Sequence, residues 1–168
     1  MTAIGRTTRR VVLPTAADTA ELGRVLGTRL AAGDLVVLAG PLGAGKTCLA
    51  QGLGEGLGVE GPVTSPTFVI AREHPPLAEG GVAMVHVDAY RLGGAGPGAG
   101  GPDVATDLAA DLDALDLDTD LTAAAVVVEW GEGVVEALAP EHLRIVLHRR
   151  TDGEERTADL SGPPRLVG

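Results

Sequence analysis

The sequence predicts an α/β fold in which a central mixed β-sheet is flanked by helices. An apolar run at 35–39 is followed by a glycine-rich loop and then by leucines at helical spacing. Apolar runs at 82–87 and 126–128 are each followed by an acidic residue, as at the carboxyl ends of parallel strands. The runs at 143–147 and 156–160 predict a closing antiparallel hairpin. Together these runs indicate a mixed sheet.

The glycine-rich loop matches a known phosphate-binding pattern, in which two glycines separated by four residues precede a lysine and a hydroxyl residue. Its sequence is Gly40-Pro41-Leu42-Gly43-Ala44-Gly45-Lys46-Thr47. The glycines allow backbone N–H groups to converge on a β-phosphate at the start of the next helix. Lys46 then reaches the β- and γ-phosphates, and the Thr47 hydroxyl is placed to bind Mg²⁺. Lys46 is the only lysine in the chain. This argues against a chance match, and we predict a P-loop NTPase-like domain.

Composition limits the classes of function. At 168 residues the chain is expected to form one domain, spanning 1–168. The net charge of −10 argues against binding nucleic acid through the protein's own surface, so any link to RNA is expected to pass through a partner. A single cysteine excludes an internal disulfide, and no apolar stretch approaches membrane-spanning length. We therefore expect a cytoplasmic protein with no membrane association.

Local signals predict the elements on either side of the P-loop. Residues 9–13 are expected to form the first strand, and Thr15 with Asp18 resembles a capping box at the start of a helix. Gly33 is a candidate C′ residue for that helix. The helix after the P-loop carries glycines that each cost about 1 kcal/mol relative to alanine. Its later turns are therefore expected to be weak or already loop, around residues 52, 54, 56 and 58.

The second half of the chain alternates strands with irregular segments. A strand is expected after Pro66, and residues 93–102 predict a flexible surface insertion because glycine, alanine and proline bury little surface. Leucines at helical spacing predict an acidic amphipathic helix within 103–120 and a brief helix before Pro140. The last residues, 162–168, are predicted to be a loose tail.

A magnesium site beside a P-loop requires an acidic residue at the end of a neighbouring strand. Asp88 and Glu129 both qualify, and the sequence does not rank them. Either one could instead be a helix N-cap or a turn residue. The chain's only aromatic residues lie close to these acids or to Thr67, which gives independent support for a site there: Phe68, Tyr90 and Trp130. The alternative for these rings is core filling at strand ends.

Other reactive side chains give weaker signals. Cys48 is interpreted as a small buried thiol rather than a nucleophile. The four histidines have no metal-ligand spacing with the cysteine or with one another, and are expected to be structural or surface residues: His74, His86, His142 and His148.

Four motifs occur in a characteristic order. Besides the P-loop they are Ser65-Pro66-Thr67-Phe68, His86-Val87-Asp88-Ala89-Tyr90-Arg91-Leu92 and Glu129-Trp130-Gly131-Glu132. This set closely resembles the TsaE family, the P-loop ATPase subunit of the bacterial machinery that makes threonylcarbamoyladenosine (t6A) in tRNA. The resemblance covers about residues 13–150. The P-loop alone is shared with many ATPases, so the specificity comes from the other three motifs.

The resemblance implies a role for each matching residue. Lys46 and the loop amides would hold the phosphates of ATP, and Thr47 and Glu129 would bind Mg²⁺. Thr67 would face the γ-phosphate from a switch-like segment, and Asp88 would assist hydrolysis. The aromatic residues Trp130 and Tyr90 would shape the site or a partner surface.

The chain also departs from the family pattern. Pro41 replaces the usual aspartate, Cys48 stands where threonine or serine is common, and 93–102 resembles an insertion. None of these changes removes a phosphate or metal ligand, although Pro41 is expected to stiffen the loop.

The resemblance further implies partners. The protein would not transfer the threonylcarbamoyl group itself. It would bind the TsaD and TsaB homologues and use ATP to support their turnover, with weak ATPase activity alone, and it would contact tRNA only through that complex.

Three alternative functions also involve a P-loop. A small P-loop kinase acting on a metabolite needs arginines over the phosphates; Arg72 and Arg91 are candidates, whereas 93–102 offers none. A GTPase is close to excluded because its guanine-binding Asn-Lys-x-Asp motif is missing from a chain without asparagine. A nucleotide-dependent scaffold, in which binding rather than hydrolysis matters, stays open.

Overall fold

The computed structural model describes residues 5–64, 71–88, 121–129 and 141–168. The predicted insertion at 93–102, the acidic helix predicted within 103–120 and the short helix predicted before Pro140 lie outside these residues. In chain order the elements are β1 (Thr7–Leu13), α1 (Ala16–Gly27), β2 (Leu35–Ala39), α2 (Lys46–Leu57), β3 (Ala71–His74), β4 (Ala83–Asp88), a 3₁₀ turn (Leu121–Ala123), β5 (Ala124–Glu129), β6 (Leu143–Arg149), β7 (Arg156–Gly162) and α3 (Pro164–Val167).

The seven strands form one mixed sheet in the order β1-β7-β6-β2-β5-β4-β3. The P-loop strand β2 lies between β6 and β5 and is parallel to both, and β4 is parallel to β5. The outer strands β1, β7 and β3 are antiparallel to their neighbours. This arrangement confirms the predicted mixed sheet and the predicted hairpin, and it places the carboxyl ends of the four central strands at one edge.

One face of the sheet packs against α1 and α2. Leu38 of β2 and Val127 of β5 belong to a buried cluster with Leu26 of α1 and with Leu49 and Leu53 of α2. All five side chains are at most 2% exposed. The cluster fixes α2, and with it the P-loop, over the centre of the sheet.

Helix α1 starts as predicted and ends earlier than predicted. The Asp18 amide donates to the Thr15 hydroxyl oxygen, and the Asp18 carboxylate accepts from the Thr15 amide, so the capping box is confirmed. The prediction that Gly33 follows the helix directly is wrong, because the helix ends at Gly27. Gly33 adopts a φ of +87° and its amide donates to the carbonyl of Ala124. It therefore leads into the sheet rather than capping the helix.

The prediction that the later turns of α2 are weak or loop is also wrong. The helix continues to Leu57 and ends at Gly58, which has the left-handed conformation typical of a helix end. Two glycines of α1 and two of α2 form the contact between these helices. A Cβ atom at any of them would lie 2.0–2.4 Å from a carbonyl oxygen of the facing helix: Gly23, Gly27, Gly52 and Gly56. Close packing thus offsets the low helix propensity of glycine.

The prediction of a loose tail at 162–168 is wrong as well. Gly162 ends strand β7, and residues 164–167 form the short helix α3. Leu166 and Val167 are 1% and 0% exposed and join the core cluster. Arg165 forms an ion pair with Asp34. Apolar burial therefore orders the end of the chain.

None of the helices in the described part of the chain is long and apolar enough to cross a membrane.

Candidate functional site

The P-loop joins the end of β2 to the start of α2 and has the backbone conformation that its glycines predict. Gly40, Gly43 and Gly45 have φ values of +141°, +79° and +103°. Gly40 also lies against strand β6, where a Cβ atom would approach the carbonyl oxygen of Leu147 to 2.6 Å. Position 40 thus requires glycine for two reasons, its positive φ and the close approach of β6.

Helix α2 begins without a side-chain cap. Its N-cap residue is Gly45, which has no side chain that could accept a hydrogen bond from the first amides of the helix. Helix α1, by contrast, has a complete capping box. The free N–H groups and the partial positive charge at the start of a helix attract anions. This end of α2 therefore fits a phosphate group.

Lys46 lies across the loop and is not extended into solvent. Its side chain is 8% exposed, and its Nζ atom donates to the carbonyl oxygens of Gly40 at 2.5 Å and Pro41 at 3.4 Å. Thr47 is exposed at the first turn of α2. The only lysine of the chain thus lies beside the amides that a phosphate would contact.

The loop residues between the glycines differ in burial. Ala44 is 1% exposed and belongs to the core cluster, whereas Pro41 is exposed and Leu42 is 86% exposed. Ala44 thus anchors the loop, while its outer part faces solvent.

Glu129 and Asp88 lie next to each other at the edge where the central strands end. Glu129 is in register with Leu38 on one side and with Asp88 on the other. Registered neighbours in a sheet point to the same face, so both carboxylates lie on the face that carries α2. Glu129 is 3% exposed and belongs to the strand that adjoins β2. Asp88 is one strand further from the P-loop. The order of the strands, which the sequence does not specify, thus distinguishes the two acids.

A buried histidine contacts Glu129. His86 is 0% exposed, and its Nε2 atom lies 3.4 Å from a carboxylate oxygen of Glu129. Within the described residues neither ring nitrogen has a hydrogen-bond partner. Burial, and then the nearby His86, lower the pKa of His74 on the adjacent strand. The spacing of the histidines predicts only a structural or surface role for His86, whereas its position two residues before Asp88 on one strand places both on one face.

Cys48 is only partly buried, which differs from the prediction of a buried thiol. Its Sγ atom lies 3.3 Å from the carbonyl oxygen of Ala16, and burial raises the pKa of the thiol. A raised pKa disfavours the thiolate that a nucleophile requires.

Two predicted site residues, Thr67 and Trp130, lie outside the described residues, as do Phe68 and Tyr90. Among the residues that are described, no three His, Cys, Asp or Glu side chains are grouped to hold a metal ion. A P-loop magnesium site does not need such a group, because a hydroxyl, one or two carboxylates, phosphates and water complete it. Thr47 and Glu129 supply the donor types that it requires.

A parallel strand, a loop with positive-φ glycines, an uncapped helix start and a lysine across the loop together define a P-loop NTPase-like protein. The profile of one family, described as "Threonylcarbamoyl adenosine biosynthesis protein TsaE", matches residues 13–158. The chain belongs to the TsaE family.

Individual relatives agree with this assignment. A protein of Mycobacterium tuberculosis strain H37Rv is 53% identical over 149 residues, covering 89% of this chain and 84% of the relative. One of Streptomyces coelicolor is 56% identical over 145 residues, covering 84% of this chain and 88% of the relative. Both are named tRNA threonylcarbamoyladenosine biosynthesis protein TsaE.

The fold also resembles a solved structure. The crystal structure of YdiB from Bacillus subtilis aligns with a TM-score of 0.66 at 25% sequence identity. The alignment covers 96% of this chain and 89% of that one. The predicted α/β fold is thereby confirmed.

Proposed function

We propose that this protein is the magnesium-dependent ATPase subunit of the machinery that makes t6A in tRNA. The observation that carries the ATPase part is the P-loop at the uncapped start of α2, with Lys46 across it and Glu129 at the end of the adjoining strand. Membership of the TsaE family supports the link to t6A. Modification of tRNA in turn favours a cytoplasmic location.

The residues have distinct roles in this proposal. The amides at the start of α2 and the Lys46 ammonium bind the phosphates of ATP. The Thr47 hydroxyl and the Glu129 carboxylate hold Mg²⁺, and His86 lies against that carboxylate at 3.4 Å. When bound, Mg²⁺ neutralises charge that develops on the phosphate oxygens. Asp88, one strand further away, orients the attacking water. By the pattern of the TsaE family, Thr67 would face the γ-phosphate and Trp130 would shape the site or a partner surface.

The charge of the chain favours an indirect link to tRNA. A net charge of −10 repels a polyanion, so the protein acts through the TsaD and TsaB homologues. Its ATPase activity is low alone and rises when they bind. The test is co-purification of the tagged protein from cells, followed by ATPase assays with and without the captured partners. Capture of neither homologue, with an ATPase rate that no partner raises, contradicts the proposal.

Glu129 and Asp88 are expected to affect different steps. Glu129→Ala should weaken the magnesium dependence of ATP binding and stop hydrolysis, because a metal ligand is lost. Asp88→Ala should keep MgATP affinity within a few fold, yet lower kcat by about a hundredfold or more, because water is no longer oriented. Calorimetry at varied Mg²⁺ and partner-stimulated ATPase rates measure the two effects.

Glu79→Ala is the matched control, since it removes an exposed carboxylate from a turn distant in sequence from the P-loop. It should behave as the wild type in both assays. Loss of magnesium-dependent affinity in Asp88→Ala but not in Glu129→Ala would reverse the two roles. Normal hydrolysis by both variants would contradict the metal site.

A further inference from the structure

Two arginines face each other at the end of the β6–β7 hairpin. Arg149 and Arg156 are directly opposite in the antiparallel register. Like charges in this position destabilise a strand pair unless another charge compensates them. Both side chains approach the P-loop at Gly43, and neither arginine belongs to one of the four sequence motifs.

Arg156 connects the hairpin turn to the P-loop. Its Nη1 atom donates to the carbonyl oxygens of Gly153, Glu154 and Glu155 at 2.8–3.3 Å. Its Nη2 atom donates to the carbonyl oxygen of Gly43 at 3.4 Å. The guanidinium of Arg156 therefore holds the turn in place next to the loop.

Arg149 is different because its guanidinium has no such partner among the described residues. Its Nη1 atom lies 3.1 Å from the position that a Cβ atom of Gly43 would occupy. In the part of the chain that the structure describes, Arg149 makes no hydrogen bond or ion pair. The next residue, Arg150, is paired with Asp152 at 3.4 Å and Glu155 at 3.6 Å. Arg149 thus brings a positive charge, unpaired within the described ranges, to the outer part of the P-loop.

The order of the strands places the Arg149 charge on the side of the P-loop opposite Glu129. Strand β2 has β5 with Glu129 on one side and β6 with Arg149 on the other. The metal side of a P-loop binds the β- and γ-phosphates. If Glu129 holds the metal, the side of β6 is left for the inner phosphates, which ATP and ADP share.

We propose that Arg149 binds the inner phosphates of the nucleotide and that Arg156 is a positioning residue that keeps the hairpin beside the P-loop. This inference rests on the proposed ATP site. Arginine pairs with phosphate through two parallel N–H donors, and a bound phosphate also compensates the facing charges of the two arginines. The site takes a di- or triphosphate regardless of the metal.

The test is Arg149→Gln, with ATP, ADP and inorganic tripolyphosphate as ligands in calorimetry, with and without Mg²⁺. Affinity for all three should fall by about tenfold to a hundredfold, as expected for a charged hydrogen bond. The ratio of affinities with and without Mg²⁺ should stay unchanged, in contrast to Glu129→Ala. Arg149→Lys should recover part of the loss, because it restores the charge without the paired donors.

Arg150→Gln is the matched control, because it removes the same charge from the adjacent position. It should bind all three ligands within about twofold of the wild type, since exposed paired charges contribute little. Equal losses of affinity in both variants would indicate a nonspecific effect of the net charge and would overturn the proposal. A loss for ATP and ADP but not for tripolyphosphate would place Arg149 on the nucleoside and also overturn it.

The outcome separates this inference from the proposed function. Wild-type protein that binds none of the three ligands contradicts both. Wild-type binding together with unchanged affinities in Arg149→Gln contradicts only the role of Arg149. Thermal melting of Arg149→Gln without ligand should give a Tm equal to or slightly above that of the wild type, because the side chain is exposed and one of two facing like charges is removed.

Discussion

Replacing Lys46 with alanine is expected to abolish tight ATP binding and to leave the fold intact. The ammonium group donates to the carbonyl oxygens of Gly40 and Pro41, and the loss of these hydrogen bonds should cost only about 1 kcal/mol of stability. A charged hydrogen bond to phosphate is worth about 1.5–3 kcal/mol, and Lys46 is placed to reach two phosphates. Affinity should therefore fall by about a hundredfold or more. Calorimetry with MgATP measures the binding, and thermal melting measures the fold.

Arg24→Ala is the control for this experiment. Arg24 is an exposed cation on α1, paired with Glu21, and its removal changes the net charge by the same amount. ATP affinity should remain at the wild-type value in this variant. If Lys46→Ala also bound ATP with wild-type affinity, the P-loop interpretation itself would be wrong.

Gly56→Ala is expected to destabilise the protein, although helix propensity predicts the opposite sign. Within a helix, alanine is favoured over glycine by about 1 kcal/mol. The added Cβ atom would lie 2.0 Å from the carbonyl oxygen of Arg24, however, so α1 and α2 must move apart. Overpacking of this kind costs about 1–3 kcal/mol. Urea denaturation should show a lower free energy of unfolding.

The control is Gln51→Ala on the exposed side of the same helix. It adds no contact with α1, and its free energy of unfolding should stay within about 0.5 kcal/mol of the wild type. A Gly56→Ala protein more stable than the wild type would contradict the close helix contact.

Several features could be predicted from the sequence because they depend on neighbouring residues. The capping box needs only Thr15 and Asp18, which are three residues apart. The P-loop needs glycines at positions whose φ is positive, and the strand before it needs an apolar run. Each of these features depends on residues only a few positions apart, so a short stretch of sequence is enough to predict it.

The errors have one physical origin. Gly52 and Gly56 looked unfavourable in isolation, yet they permit the approach of Gly23 and Gly27 from a helix about thirty residues earlier in the chain. Leu166 looked like part of a loose tail, yet it is 1% exposed in the core. Burial and close packing depend on partners distant in sequence, and they exceed local propensity in free energy.

The sequence by itself thus determined the fold class, the glycine-rich P-loop with its lysine, and the two acids at strand ends that are candidates for a metal ligand. Only the tertiary structure decided how these groups are arranged. Strand order places Glu129 beside the P-loop strand and Asp88 one strand further away. The same order brings Arg149, more than a hundred residues later, to Gly43. Strand pairing is a long-range interaction, and no local pattern specifies which strands become neighbours.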